Sequence, residues 1–348
     1  MTKIIKESLS NNIILDNSEI HSNLSSLGEF SSDNIFIKKY ILKKNEEEEN
    51  KEGNKIEINK YIATLKKERA EYSGMLNDKY QREGYGLEKF KNGDKYLGQY
   101  DSNLRNNKFI YYFESVKNEE NENIKTECYM GQWKNNLKDK YGMYIWMEEP
   151  EHNFEYENSN FDAYIGEFDE EKYVRGSYLT KLNNEYYIYH GNFNIEGKKN
   201  DKNAYFFSSK LNKVFHGEIK EDIIICGYFG SFPEEKDELN ELLYCKFNED
   251  GTVKDVIEEK DLKIEENEIF NEKKKIQTFK EIVLDGDYFG KIYGNFIKIK
   301  NKLDKLAGTI NDNLEKEENI EEIDKILNKF NKKNIYYNIE KNIFGKVI

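Results

Sequence analysis

The chain has 348 residues, of which 67 are acidic and 54 are Lys or Arg, giving a formal charge of −13 at pH 7 and a mean hydropathy of −0.93. That balance opposes non-specific binding to nucleic acid or anionic lipid, which needs clustered cations. The 26 Tyr and 21 Phe argue against wholesale disorder, because chains that never pack carry few aromatics.

Residues 1–70 read as an N-terminal arm. It is rich in Ser and Asn, then charged through KKNEEEENKEGNK (Lys43 to Lys55), a solvated linker by composition. Ile58, Ile62 and Leu65, spaced i, i+4, i+7, predict a short amphipathic helix near 57–70. The arm lacks an apolar run suited to a secretory signal, and no stretch of about 18 apolar residues occurs in the chain, so the expectation is a cytoplasmic protein without a membrane span. Cys128, Cys226 and Cys245 are far apart and indicate neither a disulfide framework nor a zinc site.

From Tyr72 the sequence repeats. An aromatic-x-Gly unit starts at Tyr72, Tyr96, Tyr129, Tyr164, Tyr189 and Phe215, with glycines at Gly74, Gly98, Gly131, Gly166, Gly191 and Gly217. A second aromatic follows two residues after the glycine at Tyr100, Trp133, Phe168 and Phe193. A second glycine follows about ten residues on, at Gly84 with Gly86, Gly142, Gly176 and Gly227; the repeats at Tyr96 and Tyr189 lack it. In a strand, Tyr129, Gly131 and Trp133 share a face. The glycine leaves room there for a ring from a neighbouring strand, so each unit reads as a hairpin that buries its ring face by stacking on the next. Asn92-Gly93 between the first two units is a type I′ turn signal. Two longer repeats carry acidic inserts, 114–127 and 147–160, expected to bulge from one sheet edge.

These residues resemble MORN repeats, with Tyr72, Gly74, Gly84, Gly86, Asn92, Gly93 and Asp94 matching best and the segment DGDYFGKI, within 285–296, as a candidate last repeat. The resemblance covers about 72–232. It implies a mainly β chain: an elongated single-layer antiparallel sheet of stacked hairpins, a solenoid, flanked by short α-helices. It also implies a non-catalytic scaffold of cytoskeletal or ciliary (axonemal) structures, free of cofactors and small-molecule substrates and bound to other proteins. One alternative is a phosphoinositide-binding tether between membrane and cytoskeleton, using the turn lysines Lys138, Lys140, Lys198, Lys199 and Lys202. Another is a regulatory subunit that positions a catalytic partner. Leu97, Met130 and Ile165 are apolar on the face expected to be polar, which predicts that the C-terminal helix or a partner covers that face.

Residues 233–348 read as a mixed segment. A hairpin is expected about Glu249-Asp250-Gly251, where the calcium-loop template fails because Lys246 and Ile257 stand at positions that need carboxylates. Ile320, Ile323, Leu327 and Phe330 predict an amphipathic helix over about 314–331. Phosphate-loop, kinase and serine-hydrolase motifs are missing from the sequence. His190 and His216 hold the x position of their repeats, which raises a two-histidine metal or pH-sensing site as the one candidate for chemistry.

Overall fold

The computed structural model describes most of residues 61–284, apart from 67–69, 80, 118–122, 148–159, 233–238 and 240, and two short segments before them. For 61–66, 85, 107–126 and 282–284 the backbone alone is described. The two short segments, β1 (Glu48–Glu49) and β2 (Lys55–Ile56), pair with each other.

Every other strand among the described residues belongs to one antiparallel sheet of sixteen strands. It opens with β3 (Tyr61–Lys66), β4 (Ala70–Leu76), β5 (Arg82–Phe90) and β6 (Lys95–Asp101). The short β7 (Leu104–Arg105) pairs with β6, and the path continues through β8 (Asn107–Lys117), β9 (Asn123–Lys134) and β10 (Leu137–Met147). Then come β11 (Phe161–Asp169), β12 (Lys172–Leu182), β13 (Glu185–Asn192) and β14 (Asp201–Ser208). The path ends with β15 (Lys213–Lys220), β16 (Ile223–Ser231), β17 (Glu241–Phe247) and β18 (Val253–Glu258). Each strand lies beside the next in sequence, β7 excepted. The six aromatic-x-Gly starts fall on β4, β6, β9, β11, β13 and β15, so the repeat is a hairpin whose first strand carries the signature.

The glycines align across the strands. Gly131, Gly142, Gly166, Gly176 and Gly191 are consecutive partners from β9 to β13. Gly74, Gly86 and Gly98 form a shorter row, and Gly217 faces Gly227. Opposite Gly217 on β14 stands Ala204, fully buried, the smallest side chain available in the repeat that lacks its second glycine.

One α-helix is described, α1 (Glu266–Leu284). Ile276 and Phe279 are buried under it, and it packs on β15 and β16. The ring of Phe279 stacks on Tyr205 at 4.7 Å, and the Lys280 ammonium sits 3.9 Å above the Phe232 ring.

Several expectations need correction. Tyr61–Lys66 is strand where a helix was expected, because β4 offers an edge, and Tyr61, Ala63 and Leu65 alternate with Ile62 and Thr64 at the strand period, β-branched residues among them. The sheet therefore extends on both sides of 72–232. Asn92-Gly93 is not a type I′ turn, since only Gly93 takes a left-handed φ (101°). Asn92 instead gives its side-chain amide to Asp94 at 2.7 Å within a longer connection, 91–94. Most of the insert 114–127 is not a bulge but an extension of the β8–β9 ladder, with Glu114 opposite Glu127 and Val116 opposite Lys125. The hairpin about Glu249-Asp250-Gly251 is present as β17–β18. The helix expected at 314–331 and the repeat at 285–296 lie outside the described residues.

Candidate functional site

On the signature face the tyrosine folds over the glycine two residues ahead in its own strand, as Tyr129, Tyr164 and Tyr189 do over Gly131, Gly166 and Gly191. A Cβ on Gly131 would come within 2.4 Å of the Tyr129 hydroxyl, and one on Gly142 within 2.5 Å of the same ring. One ring thus spans a cross-strand glycine pair, covering Gly131 in its own strand and Gly142 in the neighbouring strand of the same hairpin, rather than arriving from the adjoining hairpin. It is then pinned: the hydroxyls of Tyr72, Tyr96, Tyr129, Tyr164 and Tyr189 donate to the carbonyls three residues on, of Met75, Gln99, Gln132, Glu167 and Asn192, at 2.5–2.9 Å. Burial raises the phenol pKa of Tyr72, Tyr96 and Tyr189, so these hydroxyls stay protonated donors.

The second aromatic of each unit joins successive hairpins. Trp133 meets its own Tyr129 edge-on at 5.4 Å and Tyr96 of the preceding unit at 5.9 Å. Phe168 does the same for Tyr164 and Tyr129, at 5.0 and 5.2 Å, and Phe193 for Tyr189 and Tyr164, at 5.1 and 5.5 Å. Edge-to-face pairs of this kind contribute about 0.5–1.5 kcal/mol each beyond their burial.

A third position, nine or ten residues after each signature aromatic, caps the ring. The Arg82 guanidinium lies over Tyr72 and Tyr100, and that of Arg105 over Tyr96 and Trp133. The Lys138 ammonium lies over Tyr129 and Tyr144, and that of Lys199 over Tyr178 and Tyr189. The fourth unit uses Tyr173, stacked on Tyr164 at 4.1 Å, and the sixth uses Ile224. Sequence reading missed Arg82 and Arg105; their offset of ten and nine residues from the signature tyrosine was the available signal. Between those arginines Glu88, buried, takes Arg82 at 2.8 Å, the Tyr100 hydroxyl at 2.9 Å and Arg105 at 3.6 Å.

The lysines singled out as lipid contacts are thus divided. Lys138 reaches Glu171 at 2.7 Å, Lys199 reaches Asp222 at 3.4 Å and Lys198 reaches Glu196 at 3.0 Å. Lys140 and Lys202 are exposed.

The two histidines lie on the other face and are buried, not solvated. Both register with Tyr205 on the intervening strand β14, which sets them two strands, about 10 Å, apart, with the Tyr205 ring stacked on His216 at 4.3 Å. His190 meets the Ser177 hydroxyl at 3.1 Å, and burial holds its pKa down at about 3. His216 bonds Glu272 of α1 at 2.6 Å. Burial works against the charged Glu272, but hydrogen bonds from His216 and Lys275 outweigh it and lower its pKa. Among the described residues no group of three or more His, Cys, Asp or Glu is placed to hold a metal ion. Leu97, Met130 and Ile165 are buried within this chain, with no partner needed to cover them.

No protein-family model matches the sequence, and no curated protein matches it. Among the described residues no helix is long and apolar enough to cross a membrane.

Proposed function

We propose that the chain is a non-enzymatic scaffold, an elongated solenoid of MORN-like hairpins whose output is its length and stiffness. One observation carries the reading: each feature that recurs, the Tyr-over-Gly pin, the bridging aromatic and the ring cap, joins strands or hairpins to one another. At about 4.8 Å per strand, the fifteen strands of the main path span about 70 Å, a distance suited to holding proteins apart in a cytoskeletal or ciliary assembly. The placement of Lys138, Lys198 and Lys199 against carboxylates weighs against the phosphoinositide tether, since these charges are already matched.

Proximity labelling in the native cell with the intact chain, compared with Gly142→Arg, tests the proposal. Labelled neighbours from one cytoskeletal structure, lost with the variant, are expected. Salt-sensitive flotation with phosphoinositide vesicles, abolished when Lys140 and Lys202 become Glu, would overturn the scaffold in favour of the tether. A catalytic protein as the dominant labelled neighbour would favour the regulatory-subunit reading instead.

A further inference from the structure

Among the described residues the sheet ends at β18, whose neighbour is β17. Five of its six residues are exposed, and Val253 and Val256 are 56% and 51% exposed. An open edge with exposed valines is a template for another strand, which folded sheets ordinarily guard with charge. Here the guards are Lys254, Asp255 and Glu258, and their spacing makes the strand complementary to itself run backwards.

With Val256 opposite Val256 of a second copy, Lys254 stands opposite Glu258 and Glu258 opposite Lys254, with Asp255 opposite Ile257 on either side of a two-fold axis. Slipping one way sets Asp255 against Asp255, a destabilising pairing of like charges. The same slip the other way sets Lys254 against Lys260 and Asp255 against Glu259, again like against like. One register alone satisfies the charges and puts the two signature faces on the same side. We propose that the outer edge of β18 is a homodimerisation surface, on which β18 of a second copy adds antiparallel about Val256 to continue the sheet.

The Glu258–Lys260 contact at 2.6 Å does not block this, because its partners are 56% and 73% exposed and such pairs exchange readily. A single strand pair buries less than the roughly 1,200–2,000 Å² of a standard stable interface, so the dimer should depend on concentration. The surface goes beyond the scaffold proposal and does not depend on it.

Sedimentation equilibrium of the full chain from low to high micromolar concentration is the test, with the expected mass rising toward twice that of the monomer. Lys254→Glu and Glu258→Lys each place two like-charge pairs across the axis and should weaken association at least about tenfold; the double variant should restore it. All four proteins should keep the same circular dichroism, since both side chains are exposed. Val256→Cys, on the axis, should cross-link to its own copy under mild oxidation. A monomer at every concentration, single reversals without effect, or a double variant that fails to recover would each overturn the proposal.

Discussion

The Asn136 side-chain oxygen accepts the amide hydrogen of Arg105 at 2.7 Å, and Asn136 returns its own amide hydrogen to the Arg105 carbonyl at 2.9 Å. The same reciprocal clasp joins Asn103 to Arg82, Glu171 to Lys138 and Asp222 to Lys199. In each case the second residue of a tight turn holds the residue that caps the ring of the preceding unit. Asn135 and Asn136 have φ of 51° and 70°, the pair of left-handed conformations that matches a two-residue turn to strand twist. Asn is thus chosen twice over, for its tolerance of that backbone and for its oxygen. Asn136→Ala should lose both and cost about 1–3 kcal/mol. Asn136→Gly should lose only the oxygen and cost less, an ordering that urea unfolding checks directly.

Gly142→Ala places a methyl 2.5 Å from the Tyr129 ring. The ring cannot swing aside without breaking its bond to the Gln132 carbonyl and its contacts with Trp133 and Phe168. The expected loss is about 1–3 kcal/mol, of the order seen when cores are overpacked. Tyr129→Ala removes the obstruction, so the double variant should be less destabilised than the sum of the singles. Simple additivity in the thermal midpoints would show that the ring and the glycine do not share the space.

Glu170 and Glu171 occupy left-handed backbone at φ 46° and 76°, a conformation natural to Gly and Asn and strained in Glu. Glu171 is held there by its clasp with Lys138 at both the main chain and the side chain. Glu170 is exposed and is the residue to change. Glu170→Gly or Glu170→Asn should stabilise the protein by about 0.5–1 kcal/mol, read as a higher denaturation midpoint with an unchanged slope.

The hairpins were legible because two periods coincide: the strand period puts Tyr, Gly and aromatic on one face, and the unit period brings them back. What the sequence hid was mostly substitution within a role. Ala204 stands in a glycine row, and Glu170-Glu171 forms the turn that Asn135-Asn136 forms in the preceding unit, so neither repeats by letter. The strand 61–66 was misread because three apolar residues at i, i+4 and i+7 suit a helix, while the open edge of β4 decides otherwise. Helix α1 was overlooked although Ile269, Ile276, Phe279 and Val283 recur at helical spacing. The burial of His190 and His216 could not be read locally, because the repeat assigns their position to a face that it leaves polar in principle.

Acid should act through His190. In the unfolded chain its pKa is near 6.5, whereas burial, followed by the positive Arg175, holds it at about 3 in the fold. The neutral ring is the folded form, so this contribution to stability is fully present above pH 6.5 and is lost as pH falls toward 3. The loss amounts to about 1.4 kcal/mol for each unit of pH, or about 2 kcal/mol between pH 6.5 and 5. His190→Gln keeps a polar side chain for the Ser177 hydroxyl but cannot titrate. Urea denaturation at pH 7, 6 and 5 should therefore show a smaller decline for the variant than for the parent. Parallel declines would place the acid sensitivity elsewhere, in groups such as Glu272 of α1, whose pKa is lowered in the fold.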